Sequence, residues 1–278
     1  MSVTCTDGTS FDNGVEIVVS QMRSGYTYTA TAIGVNGFDP VLAVLNTKTG
    51  QGLCNDDEPD AANYAADLPT GYAPAASTTA QISFNQNISS TFADVSLVVG
   101  GYGNQSGEFV LLIEGMAVTD ADGIGDVFKV NLTPGMVASG VPVTTYMITR
   151  GQSNVDPLLY LGDKDNNPLA DSKGATVYCD DAGDSSTCYT PMDLTKSTVS
   201  IASGDLTTWE KDAVLSLDFT GVALDPDRTL NYLTYVMTSY KHQTEGQYLL
   251  AFHIGISENA ETTPSDGGLT GGSESSGT

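Results

Sequence analysis

The block FDPVLAVL at Phe38–Leu45 returns as VDPLLYLG at Val155–Gly162. That echo constrains the fold more than any single motif, because three further blocks recur in the same order. SGYTYTATAIG (Ser24–Gly34) matches VPVTTYMITRG (Val141–Gly151). CNDDEPD (Cys54–Asp60) matches CDDAGD (Cys179–Asp184), and SGEFVLLIEG (Ser106–Gly115) matches EGQYLLAFHIG (Glu245–Gly255). The offset between copies grows from about 117 residues at Asp39/Asp156 to about 139 at Phe109/Tyr248. The second copy therefore carries insertions, as surface loops accommodate. A unit of about 116 residues is too long for a stacked solenoid repeat and suits a whole β-sandwich domain.

Each copy reads as strands. YTYTATAI alternates larger and smaller side chains with period two, the pattern of a half-buried strand. VEIVV, AQISF, ADVSLVV and EFVLLIE follow the same logic in the first copy. DVFKVNL, TTYMIT, PLLYL, STVSI, AVLSLDF, NYLTYVMTS and QYLLAFHI do so in the second. Gly, Asn, Asp and Pro separate them, and no long stretch has apolar residues at helical spacing. The expected fold is all-β: two tandem antiparallel β-sandwich, jelly-roll-like domains. The first spans 1–116 and the second 117–258, with a Gly/Ser/Thr-rich linker at 259–278.

Charge narrows the partners. Ten Lys and Arg stand against 34 Asp and Glu, a formal charge of -24. A phosphate backbone or an anionic bilayer would be repelled, so neither nucleic acid nor a membrane surface is an expected partner. No apolar run is long enough to span a bilayer. The opening MSVTCTDGTS is polar and holds no leader; if the protein is secreted, its leader is expected to have been removed. Four cysteines, Cys5, Cys54, Cys179 and Cys188, include no C-x-x-C pair, which argues against a zinc ribbon. Two disulfides formed in an oxidising compartment are expected. Four cysteines allow three pairings; Cys5 with Cys54 and Cys179 with Cys188 keeps each bridge within one copy.

The carboxylates gather around the repeated hairpin. Asp39-Pro40 and Asp156-Pro157 each begin a strand, where a proline without an N–H is tolerated. Asp56, Asp57 and Asp60 follow Cys54; Asp180, Asp181 and Asp184 follow Cys179. Two readings fit. Aspartates cap turns and accept backbone N–H groups. Converging carboxylates also suit calcium, which accepts irregular oxygen-rich sets. The expected calcium ligands are Asp39, Asp56, Asp57, Asp60, Asp156, Asp180, Asp181 and Asp184. A third reading, a catalytic acid–base pair, has no second feature behind it. Asp163, Asp165 and Asn167 imitate the start of an EF-hand loop, but Pro168 and Gly174 stand where Gly and Glu belong, so a hairpin turn is expected.

F-D-P-x-L-x-x-L, then a turn and x-D-D, then S-G-x-[FY]-x-L-x-I resembles the bacterial pre-peptidase C-terminal (PPC) domain. The resemblance covers roughly Phe11–Gly115 and, more loosely, Gly125–Gly255. Ser106-Gly107-Glu108-Phe109 with Leu111 and Ile113 is its best match, whereas Glu245 replaces the Ser in the second copy. The family implies secreted β-sandwiches appended to proteases or surface proteins, some binding calcium or extracellular polymers, with no catalytic residues of their own.

Catalytic motifs are missing. His242 and His253 form no H-E-x-x-H, and there is no G-x-S-x-G elbow. Trp209 and the tyrosines offer aromatic surface for a sugar, but a single Trp reads first as an ordinary half-buried residue. The expected protein is a non-catalytic secreted or cell-surface module for adhesion or substrate targeting. Its partner is an extracellular polymer or protein, or a neighbouring domain of a longer parent. A structural spacer or subunit of a multi-domain surface stalk or filament is the alternative.

Overall fold

The computed structural model describes residues 1–23, 27–45, 51–59, 76–85, 92–118, 126–149, 155–170, 174–181, 188–189, 212–219, 224, 232–242 and 244–258. Asp60, Asp184, Trp209, the expected strand STVSI and the 259–278 segment lie outside these.

Nearly all described elements are strands. In the first half they are β1 (Val3–Cys5), β2 (Ser10–Phe11), β3 (Val15–Arg23), β4 (Thr27–Val35), β5 (Pro40–Leu45), β6 (Gln51–Asn55), β7 (Thr79–Asn85), β8 (Phe92–Gly101) and β9 (Gly107–Val118). In the second they are β10 (Asp126–Asn131), β11 (Val143–Thr149), β12 (Pro157–Gly162), β13 (Tyr178–Cys179), β14 (Cys188–Tyr189), β15 (Ala213–Leu217), β16 (Tyr232–Ser239) and β17 (Gly246–Ile256). They form two sheets. The larger runs β14-β13-β12-β16-β10-β3-β8-β5-β6-β1-β2; the smaller runs β15-β11-β17-β9-β4-β7. Every pairing is antiparallel except β1 with β6. The all-β antiparallel sandwich is therefore the architecture of the chain.

The halves meet inside these sheets. Residues 116/117 fall within β9, and both sheets continue past them: β3 pairs with β10, and β9 with β17. Strand order is symmetric about that seam. β3-β8-β5-β6 on one side faces β10-β16-β12-β13 on the other, and β9-β4-β7 faces β17-β11-β15. One core, running from Val15 and Tyr28 to Phe252 and Ile254, draws on both halves. The expected pair of sandwiches thus shares its sheets and its interior rather than closing separately. The reason is physical: β3 and β9 would otherwise present open rows of N–H and C=O groups, and pairing satisfies them.

Period-two patterning sets the faces. In β9, Phe109, Leu111 and Ile113 enter the core between the sheets, while Val110 and Leu112 join Ile33, Tyr146, Leu249 and Ala251 on the other side of the smaller sheet. Gly34 closes β4 where no side chain fits, since a Cβ there would lie 1.7 Å from the Phe38 carbonyl oxygen. Asn36 and Gly37, with φ of 54° and 85°, then turn the chain, a left-handed geometry that Asn-Gly adopts at little cost.

The one described α-helix, α1 (Pro134–Ser139), is too short to show a period. Its ends are nonetheless specified: Thr133 accepts the Met136 N–H at 3.2 Å, Pro134 opens the first turn, and Gly140 leaves it at φ 67°. Thr133→Ala should cost about 1 kcal/mol, measurable as a shift in urea midpoint at unchanged slope. No described helix is long and apolar enough to cross a membrane.

Candidate metal centre

Two acidic loop ends occupy matching places in the two halves. In the first, β5 and β6 pair so that Leu42 lies opposite Asn55. The chain before β5 and the chain after β6 are thereby brought together, and with them Asp39 and Asp56-Asp57. Cys54 is bonded to Cys5, which anchors this hairpin to the N-terminal strand. The Asp39 carbonyl accepts the Tyr102 N–H at 2.8 Å. Asp39 Oδ1 and Asp56 Oδ1 are both shut off from solvent and have no hydrogen-bond partner. Desolvation raises Asp39, with the Asp57 charge adding to it. Desolvation, together with Asp39, Asp57 and Asp7, pushes Asp56 up to about 6. The fold holds these carboxylates close at an electrostatic cost.

The second half repeats the device. The Asp156 carbonyl accepts the Tyr240 N–H, again at 2.8 Å, and the Asp156 N–H donates to Thr244 Oγ1 at 2.9 Å. Leu159 lies opposite Cys179, which is bonded to Cys188. Asp156, Asp180 and Asp181 each place a carboxylate oxygen within 4.8 Å of the others, and Asp180 is buried. Separations up to twice a calcium–oxygen distance of about 2.4 Å put any two of these oxygens within reach of one ion, with the third close by.

The two ends differ in strand sense. From β5 to β12 the larger sheet takes five antiparallel steps, through β8, β3, β10 and β16. An odd number of reversals gives β5 and β12 opposite sense, so Asp39 and Asp156 start strands that run in opposite directions through the ladder.

Other acids serve turns. Asp163 Oδ1 accepts the N–H groups of Asp165 at 2.8 Å and Asn167 at 2.9 Å. Those backbone bonds lower its pKa, as an aspartate closing a turn should show. Of the histidines, His242 Nδ1 lies 3.1 Å from Thr238 Oγ1. His253, 1% exposed, lies on β17 with Nε2 3.0 Å from Glu108 Oε2. Hydrogen bonding to His253 lowers the Glu108 pKa, against the opposing effect of burial. This pair went unseen in the sequence. Its signal was the match of SGEFVLLIEG with QYLLAFHIG, which puts Glu108 and His253 on like strands that prove to be neighbours.

Fold and site together define a β-sandwich with duplicated acidic loop ends. No family model matches the chain, and no curated protein matches it. Among solved structures it is similar to SGBP-B from a complex xyloglucan utilization locus in Bacteroides uniformis. The two are 11% identical over 92% of this chain and 77% of that one, at a TM-score of 0.25. A likeness so distant carries no functional argument.

Proposed function

We propose that this chain is a non-catalytic, secreted or cell-surface binding module built of two tandem PPC-like repeats. It serves adhesion or substrate targeting on an extracellular polymer or protein, and calcium stiffens its loop ends. One observation carries the reading. An Asp-Pro strand start, a tyrosine N–H clamping the aspartate carbonyl, and aspartates following a bonded cysteine occur together at both ends. A device repeated at two loop ends suits stiffening of two loops better than one reaction centre. The disulfides support an oxidising, extracellular setting, and the F-D-P and S-G-x-F motifs support the family.

The residues fit a hard cation. Asp156, Asp180 and Asp181 supply converging oxygens; in the first half the solvent-excluded oxygens of Asp39 and Asp56 offer two ligands, and Asp39, Asp56 and Asp57 do not form a like three-oxygen group. Calcium would neutralise these charges and fix the loop backbone.

Calorimetric melts with calcium and with chelator test this, and calcium is expected to raise the midpoint by RT ln(1 + [L]/Kd). The pH dependence has a definite sign. Asp56 has a folded pKa near 6, above its ordinary 3.8, so the folded state binds the proton more tightly. In chelator, stability therefore rises as pH falls from 7 toward 4 through this group, and calcium should flatten that slope. Asp56→Asn should add about 1 kcal/mol at pH 7 in chelator, after allowance for solvent screening. It should also weaken the calcium response. Equal midpoints with and without calcium would remove the metal from the reading.

A second reading draws on breadth. Eleven strands at about 4.8 Å spacing make a sheet about 50 Å across, a stiff spacer for a surface stalk or filament. Absence of binding to polysaccharide and protein arrays, with regular head-to-tail contacts in electron micrographs, would select it.

A further inference from the structure

A cleft of about 190 Å³ opens where the turn after β4 meets the segment leading into β9. Asn36 and Gly37 line it from the turn; Gln105, Ser106 and Glu108 line it from the segment. The walls are fixed before any ligand arrives. The Gln105 carbonyl accepts Asn13 Nδ2 at 2.8 Å, and the Gln105 N–H donates to the Tyr102 carbonyl at 3.2 Å. Val35 lies opposite Glu108 in the β4–β9 ladder.

The chemistry of the lining selects a ligand class. Glu108 Oε2 is engaged by the buried His253 ring, which aims the carboxylate while its side chain stays 37% exposed. Its second oxygen can accept from a ligand hydroxyl. Ser106 Oγ accepts the Glu258 N–H at 2.7 Å and keeps its own O–H to donate. The Asn36 amide, exposed on the turn, offers both donors and an acceptor. A set of short donors and acceptors around one carboxylate suits a polyol. Glu108 and a net charge of -24 repel phosphates and uronates. The volume falls below the ~300–1,000 Å³ of drug-sized ligands and suits a single pyranose ring. Phe38 also lines the cleft and adds apolar atoms to it. We propose that this cleft is a subsite for one ring of a neutral polysaccharide, with Asn36, Ser106 and Glu108 as its hydrogen-bonding groups. The proposal rests on the binding-module reading above and names its ligand class.

Calorimetric titration of the full chain with neutral hexasaccharides of glucose, mannose, galactose and xylose tests it, with a galacturonate hexasaccharide as the charged control. Binding of at least one neutral series is expected, with amide shift changes at 35–38 and 105–108. Asn36→Gly keeps the positive-φ turn and Glu108→Gln keeps the shape. Each should weaken binding about tenfold, and Asn36→Gly should leave the melting midpoint unchanged. If a neutral sugar binds and both variants bind within twofold of the parent, the cleft is not the site, although the module reading stands. Binding only to galacturonate or to protein arrays overturns the ligand class. Binding to no polymer and no protein overturns both.

Discussion

Phe252→Ala is expected to lower the unfolding free energy by about 3–5 kcal/mol, and to do so for both halves at once. Phe252 is fully buried on β17 and meets Phe128 and Tyr235 edge-on, with ring centroids 6.3 and 5.6 Å away. Those partners belong to β10 and β16 of the opposite sheet, so the ring joins the two layers beside the seam. Truncation removes this contact and leaves a cavity that rigid strands on both sides cannot close. Phe128 lies opposite Val19 of β3, and β17 is bonded along its length to β9. The loss should therefore reach the first half through two ladders. Urea titration gives the magnitude; native-state hydrogen exchange gives its spread. Equal loss of protection in β3 and β10 amides is expected. Protection unchanged in β3 but collapsed in β10 would show that the halves unfold independently.

Removing the Cys5–Cys54 bridge is the second large effect. Its 49-residue separation predicts a loss of about 4 kcal/mol from loop-closure entropy, whereas the nine-residue Cys179–Cys188 loop predicts less than about 3 kcal/mol. The bridge also closes a small apolar cluster of Val3, Phe11, Val41, Ala43 and Val98 on the far side of the larger sheet. β1 pairs with β6 through two residues, Thr4 and Cys5, with one further bond from the Thr6 N–H to the Gly52 carbonyl, so the bridge reinforces a short attachment. The double variant Cys5→Ser/Cys54→Ser should lose the calcium response of the first half together with stability, because Asp56 and Asp57 follow Cys54 directly. A loss below about 1 kcal/mol in urea would show that the sheet, not the bridge, holds this edge.

Most strands were legible from their residues. TYTATAI, EFVLLIE and QYLLAFHI read as strands from their β-favouring apolar residues, and they lie within β4, β9 and β17. The short strands β1, β2 and β6 have too few residues to show a period. The helix after Thr133 was marked only by Thr-Pro and a later Gly. Pairing across the seam left no trace, because a period tells which face of a strand is buried and not which strand lies beside it. The acidic hairpin was readable as a cluster, since a strand turning back brings its ends together. Its opposite orientation in the two halves depends on the full strand order, which no local pattern encodes. Glu108 and His253 stayed hidden for the same reason, being 145 residues apart.

The antiparallel course of β5 and β12 also decides the geometry of attachment. With its two acidic loop ends starting strands of opposite sense, one molecule does not present both in the same direction. On the proposed function, a ligand held at the first-half rim leaves the second-half rim to meet a separate object, the geometry of a coupling rather than a clamp.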